Sequence, residues 1–155
     1  MRFGPVPTSD AAGTILAHSL ATGGLRLKKG RTLGAADVTA LLAAGVPEVT
    51  VARLEEGDLG EDAAAATVAA ALGTGEGDGA LSVSAPFTGR VNVYAEADGL
   101  LRVDAAAVAA LNRVDPAITL ATLADYARVR PRQMVATVKV IPYAVPGARV
   151  AAGTA

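Results

Sequence analysis

The sequence predicts an α/β (α+β) protein in which two similar lobes each contain a β-hairpin, a helix and a closing strand. Three observations support this prediction. Short β-branched runs alternate with one-sided helical patterns, glycine-containing turns separate them, and the pattern of residues 89–123 recurs in shorter form near the N-terminus. The segment VTALLAAGVPEVTVARL (38–54) matches VAALNRVDPAITLATL (108–123), which indicates an internal duplication.

The first predicted lobe covers residues 1–57. Its expected elements are strands over 1–6, 14–20 and 25–30, a helix over 34–44 and a closing strand over 49–54. Pro5 and Pro7 are expected to end the first strand, and the next two strands are expected to form a hairpin. Asp37 suits the first turn of the helix and Gly45 suits the position after its end.

Residues 58–80 are predicted to connect the lobes. An acidic stretch, EEGDLGED (55–62), leads into the alanine-rich run 63–72, which is predicted as a helix because alanine has the highest helix propensity. The following GTGEGDG (73–79) is interpreted as a hinge. Its glycines also allow a phosphate loop, but it follows a helix, lacks Lys-Ser/Thr and carries two acidic residues.

The second predicted lobe covers residues 81–146 and precedes a tail or linker at 147–155. Its expected elements are strands over 81–84, 90–96, 100–103, 118–123 and 134–141, with a helix over 105–113. Asp98-Gly99 predicts a hairpin turn, and Asp104 is a suitable N-cap for the helix.

Composition excludes several classes of function. Fourteen basic and fifteen acidic residues give a formal charge of −1, which argues against nucleic-acid binding. The chain has no cysteine and one histidine, so it can form neither thiolate nor multi-histidine metal sites. No run reaches the roughly 18 apolar residues that span a bilayer. We therefore expect a cytoplasmic protein that binds no membrane.

Polar residues of the second lobe form the main candidate site. Arg90 and Asn92 share one face of a strand, and Asn112 and Arg113 follow at a helix C-terminus, where a cation is favourable in any case. Together they indicate either ordinary surface residues or a pocket for an anion. Lys139, within an apolar strand, is either an edge-strand charge or a partner for a carboxylate.

His18 and Lys28 are the corresponding candidates in the first lobe. His18 adjoins Ser19, but neighbouring residues on a strand point to opposite faces, so a partly buried structural histidine is expected and not a catalytic dyad. Lys28 and Lys29 at a hairpin end are either solubilising or able to bind an anionic ligand. The carboxylates of EEGDLGED could also bind a hard cation, although their spacing matches no EF-hand.

Four segments carry a family resemblance: GTILAHSL, LRLKKGRTLGAADVTALLAAGVPEVTVARLEEGDLGEDAAA, FTGRVNVYAEADGLLRVDAAAVAALNRVDPAITLATL and MVATVKVIPYAVP. Together they resemble the N-terminal region of bacterial molybdopterin-binding proteins of molybdenum cofactor biosynthesis, which are related to molybdopterin molybdenumtransferases. The hairpin-rich opening is also similar to the small β-clip domains called SAF. The TGDE-type motif of the family's pterin-binding domain does not occur in this chain.

The resemblance implies an accessory domain, non-catalytic by itself, that positions molybdopterin or a partner. Magnesium and molybdate would accompany the full pathway. Expected ligand donors are Arg90, Asn92, Asn112 and Arg113, with His18 and Lys28 in the first lobe. Expected partners are a C-terminal pterin-binding domain or further copies of the chain. The alternatives are a SAF-type enzyme domain for a small anion, with His18 near a carboxylate, and a structural oligomerisation module.

Overall fold

Strands and helices alternate along the chain, and the fold is α+β. A computed structural model describes residues 1–72 and 80–154. The chain divides into two compact units, Met1–Asp58 and Leu59–Ala155. The segment 73–79, interpreted above as a hinge or phosphate loop, lies outside the described residues.

The first unit contains short strands and one longer helix. In chain order its elements are β1 (Arg2–Pro7), a 3-10 turn (Thr8–Asp10), β2 (Ile15–Leu16), β3 (Leu20–Thr22), β4 (Leu25–Leu27), α1 (Ala35–Ala43) and β5 (Glu48–Arg53). β5 lies between β1 and β2 in an antiparallel sheet, and β3 pairs with β4 as a separate hairpin. Leu16, Leu33, Leu41 and Val51 fill the core of this unit.

Two expectations for the first unit were wrong. The strand predicted over 14–20 is divided into β2 and β3, which belong to different sheets. The backbone of Leu16 forms hydrogen bonds with Gly30 and Arg31. β1 continues through both prolines, because it is an edge strand. The N–H of Thr8 donates to the carbonyl of Pro47, so the backbone hydrogen-bonding groups of the even-numbered residues of β1 face β5. The nitrogens of Pro5 and Pro7 therefore point away from β5, where no donor is needed.

The end of α1 agrees with the sequence. Gly45 has φ of 74°, and its N–H donates to the carbonyl of Leu42 while that of Val46 donates to Leu41. This is the left-handed helix ending for which glycine is favoured.

The second unit is built around a four-stranded antiparallel sheet. In chain order its elements are β6 (Asp58–Gly60), α2 (Glu61–Ala70), β7 (Leu81–Val83), β8 (Arg90–Ala95), β9 (Gly99–Leu100), α3 (Ala105–Val114), β10 (Ile118–Thr122), β11 (Arg128–Val129), β12 (Met134–Val140), β13 (Ala144–Pro146) and α4 (Gly147–Gly153). The sheet has the order β10-β12-β8-β7, and β6 pairs with β13.

One face of this sheet is apolar and buried. Val91, Ile118, Leu120 and Val138 lie on it and pack with buried residues of α2, α3 and α4. The other face carries the alternate residues of the same strands, which are mostly polar, with the exposed Met134 paired to Tyr94. This alternation is typical of an antiparallel sheet with helices on one side.

Several expectations for the second half need correction. The Asp98-Gly99 turn joins no hairpin, because β9 pairs with β11 while β8 pairs with β7 and β12. The alanine-rich helix α2 is more than a connector, since Ala64, Ala65 and Val68 are fully buried in the second unit. Residues 147–153 form α4, which packs against α2 and α3.

The internal duplication and the SAF likeness are not confirmed. The strand that follows the helix is central in the first unit, where β5 has two neighbours. In the second unit the corresponding strand, β10, lies at the edge. Among the helices in residues 1–72 and 80–154, none is long and apolar enough to cross a lipid bilayer.

Candidate functional site

A row of side chains crosses the polar face of the second unit's sheet. Phe87 is paired with Arg90, Arg90 with Lys139, and Lys139 with Thr119. Residues directly opposite each other on antiparallel strands point to the same face, with Cβ atoms about 5 Å apart. The backbone register therefore places an exposed aromatic ring and two cations side by side.

A tight turn fixes one end of this row. Thr88 and Gly89 both have positive φ, 49° and 69°, as in the type I′ turns that join hairpin strands. The Gly89 N–H donates to the Asp62 carboxylate over 2.7 Å, and its carbonyl accepts from the N–H of Val140. The turn is thus tied to both α2 and β12.

Gly89 is required for steric reasons as well. A Cβ atom at this position would lie 2.5 Å from the carbonyl oxygen of Val140 and 2.8 Å from Oε2 of Glu61. No real side chain fits at such distances. This close approach explains why position 89 of the turn is a glycine.

The next row of the same face is a hydrogen-bond network around Asn92. Its Oδ1 accepts from the Thr137 hydroxyl at 2.8 Å, and its Nδ2 donates to the Tyr94 hydroxyl at 3.2 Å. The second Nδ2 hydrogen has no protein acceptor in the described part of the chain. The network orients the amide and leaves one donor for a ligand.

The two cations of the face take part in none of the ion pairs of the described residues, although the Glu61 and Asp62 carboxylates adjoin the neighbouring Gly89. The Lys139 ammonium donates to the carbonyl of Thr88, which positions the charge without cancelling it. Neither Arg90 nor Lys139 forms an ion pair with a carboxylate of residues 1–72 and 80–154. Adjacent cations on an exposed face raise the local potential and favour an anion.

The structure does not bring the four predicted donors of the second lobe together. Arg90 and Asn92 lie on the polar face, whereas Asn112 and Arg113 belong to α3, which packs against the buried face. Asn112 is used by the fold. Its Nδ2 donates to the carbonyl of Leu120 at 2.9 Å, and its Oδ1 accepts from the N–H of Leu120 at 2.8 Å. This amide covers the outer edge of β10.

His18 and Lys28 are both exposed residues of the first unit. The expectation of a partly buried His18 within a strand was wrong, because His18 lies between β2 and β3 and is exposed. The neighbouring Ser19 hydroxyl accepts from the N–H of Lys29. Among the described residues, His18 has neither a hydrogen-bonded acid nor an ion pair.

The acidic stretch 55–62 is used for contacts within the protein. The N-terminal ammonium lies 2.9 Å from Glu55 and 2.7 Å from Asp58, and Asp62 accepts from Gly89. Hydrogen bonds from the ammonium hold the pKa values of Glu55 and Asp58 below their ordinary range. Within the described ranges, no group of three potential ligands is arranged to hold a metal ion.

The sequence did not identify Phe87 or Thr137 as members of the polar face. Thr137 and Lys139 alternate with Val138 and Val140, so a period of two could have indicated that they share a face. The interpretation of Lys139 as an edge-strand charge was wrong, because β12 lies between β10 and β8. Which strand they would adjoin depends on the β8–β12 register, which no local pattern specifies.

Comparison with known proteins adds one finding. A family model described as a domain of unknown function (DUF8806) matches residues 5–53, which lie within the first unit. No curated protein and no solved structure matches the chain.

Proposed function

We propose that the chain is an accessory, ligand-positioning domain that binds a phosphorylated ring compound on the polar face of its second unit. The observation that carries this proposal is the unpaired cation pair, Arg90 and Lys139, in register with an exposed Phe87. Guanidinium and ammonium groups are the usual protein partners of phosphate.

The rest of the face suits the uncharged part of such a ligand. Phe87 is 76% exposed and offers a ring for stacking, and Asn92 offers an oriented amide donor one row away. The ligand contacts would thus include charge, one hydrogen bond and an aromatic surface. Asn112 is excluded from this site, since Leu120 uses its amide.

The resemblance of the sequence suggests which ligand this is. Molybdopterin combines a fused ring system with a phosphate, so it has the two features that the face would recognise. On this proposal the domain acts in molybdenum cofactor biosynthesis in the cytoplasm, beside a pterin-binding domain or in a homo-oligomer.

The oligomerisation alternative is less favoured by the packing. It rested on the small side chains of the alanine-rich helix, but Ala64, Ala65 and Ala69 of α2 are already buried within the second unit. Their methyl groups serve close packing inside the chain. On the other side of α2, Ala63, Thr67 and Ala70 are exposed, so only this narrower face is open to contact with a second copy.

Calorimetric titration with 6-hydroxymethylpterin diphosphate tests the proposal. We expect one molecule to bind per chain, with an affinity that falls as salt is added, because exposed charges are screened. Arg90→Gln should weaken binding about tenfold, since a hydrogen bond to a charged group contributes about 1.5–3 kcal/mol.

The matched control is Arg113→Gln, which removes an exposed arginine from α3 on the other side of the sheet. It should leave the affinity unchanged. Absence of heat with the unsubstituted chain, or equal weakening by both substitutions, would contradict the proposal.

A further inference from the structure

A second site is indicated on the opposite side of the same sheet. A cavity of about 390 Å³ lies in the second unit between α3 and the apolar face. Its walls are mainly aliphatic, and six residues that form them are Val93, Leu101, Val108, Leu111, Leu120 and Val135.

The cavity lies where the core of the second unit is divided. Leu111 and Leu120 belong to one buried cluster, and Val93 and Val135 belong to another. Ala136 touches both clusters and also lines the cavity. The small side chain of Ala136 thus adjoins the open space between the helix and the sheet.

The charges at the cavity are already engaged within the protein. The Arg102 guanidinium lies 4.5 Å from the centre of the Tyr126 ring and 3.6 Å from the Asp125 carboxylate. The Asp104 carboxylate accepts from the N–H of Ala107 and caps α3. Because one cation and one anion line the cavity, neither a negative nor a positive head group is favoured there.

We propose that this cavity binds an uncharged aliphatic molecule. Protein pockets for small ligands have volumes of about 300–1,000 Å³ and mainly apolar walls. An apolar cavity of about 150 Å³ is sufficient to hold benzene. The volume found here therefore accommodates a longer chain, and the Thr122 hydroxyl, which has no hydrogen-bond partner in the described residues, can bond to a neutral alcohol or carbonyl group.

Fluorescence of the neutral probe N-phenyl-1-naphthylamine measures occupancy of the cavity. We expect saturable binding of one probe molecule per chain and displacement by 1-decanol. Decanoate and decylamine have the same chain with a charged head, and each should displace the probe at least tenfold less well. Binding that is not saturable, or tighter binding of either charged compound, would overturn the proposal.

A matched pair of substitutions locates the probe. Ala136→Leu inserts a larger side chain into the cavity and should abolish probe binding. Ala121→Leu makes the same change on the adjacent strand, where the exposed Ala121 pairs with Thr137 on the polar face, and should leave binding intact.

Ala107→Leu provides a second test if Ala136→Leu disturbs the fold, since Ala107 lines the cavity from α3. Its circular dichroism should be that of the unsubstituted chain, with at least tenfold weaker probe binding. Unchanged probe binding in a folded Ala107→Leu or Ala136→Leu variant would contradict the assignment. Titration of the Ala136→Leu and Ala107→Leu variants with the pterin diphosphate separates this site from the polar face, because that binding should persist in both.

Discussion

The two units of the chain use their charged residues differently. In the first unit the ion pairs are short. The N-terminal ammonium contacts Glu55 and Asp58, and the Arg31 guanidinium makes two 3.0 Å hydrogen bonds to the Asp37 carboxylate. The first pair holds the N-terminus against residues 55–58, and the second holds Arg31 against the first turn of α1. The role of these pairs is therefore structural.

The second unit has looser ion pairs and two adjacent cations that take part in none of them. Arg102 and Arg149 lie 3.6 and 3.9 Å from their carboxylates. Arg90 and Lys139 adjoin each other across β8 and β12 without a carboxylate partner in the described residues. Like charges in direct opposition destabilise a sheet. Their retention on an exposed face is explained if that face binds an anion.

The largest effect is expected at the turn that supports these cations. Gly89→Ala should lower the free energy of unfolding of the second unit by about 2–3 kcal/mol. The new Cβ atom would clash with the Val140 carbonyl, and positive φ disfavours alanine. Because the two units need not unfold together, hydrogen exchange at the β8 and β12 amides is the appropriate measurement.

Gly99→Ala is the control for this substitution. Gly99 does not have positive φ, and no atom lies within 4 Å of a Cβ atom placed there. In the Gly99→Ala variant, hydrogen exchange at the β8 and β12 amides should be as slow as in the unsubstituted chain. Equal protection of β8 in the Gly89 and Gly99 variants would show that the turn is not fixed in the way described.

The next largest effect is expected at the edge of the sheet. Asn112→Ala removes both hydrogen bonds to the Leu120 backbone and leaves partly buried groups unpaired, so unfolding should become easier by about 1–2 kcal/mol. Binding of the pterin diphosphate should not change. If Asn112→Ala weakened binding of the pterin diphosphate but left the β10 amides equally protected from hydrogen exchange, the result would contradict this structural role. It would instead support the prediction from the sequence that Asn112 is a ligand donor.

Local patterns predicted much of this second unit but not its pairing. Asp104 was correctly predicted as the N-cap of α3, because capping depends only on residues nearby in sequence. The Asp98-Gly99 hairpin was wrong, since long-range pairing of β9 with β11 overrides a local turn preference. Arg90 and Asn92 were correctly assigned to one face by their spacing. Their separation from Asn112 and Arg113 depends on which side of the sheet α3 packs, which the sequence does not state.

A smaller effect is expected from acid on the first unit. The hydrogen bonds from Arg31 and the Gly34 N–H lower the pKa of Asp37. A lowered folded-state pKa stabilises the fold above the unfolded value of 3.8, and the stabilisation is lost as pH falls from there toward the folded pKa. Protection of the α1 amides should therefore decrease below about pH 4.

Asp37→Asn should reduce this pH dependence, and Arg31→Gln should reduce it as well because the main cause of the shift is removed. The double variant should behave like Asp37→Asn alone. A pH dependence of α1 protection that persists unchanged in Asp37→Asn would mean that this carboxylate does not stabilise the folded unit.

The smallest effect is expected for a loose ion pair of the second unit. Arg149 is well exposed and lies 3.9 Å from Asp115, so Arg149→Gln should change the free energy of unfolding by less than about 0.5 kcal/mol. Chemical denaturation followed by circular dichroism measures this change. A loss above about 1 kcal/mol would remove the contrast between the tight pairs of the first unit and the loose pairs of the second.

The most direct test of the proposed role is the affinity of the double variant Arg90→Gln/Lys139→Met for 6-hydroxymethylpterin diphosphate. Arg31→Gln is its control, because that arginine is committed to Asp37. We predict that the double variant binds at least tenfold more weakly than the unsubstituted chain and that Arg31→Gln binds equally well. Equal affinity in all three proteins would contradict an anion site on the polar face.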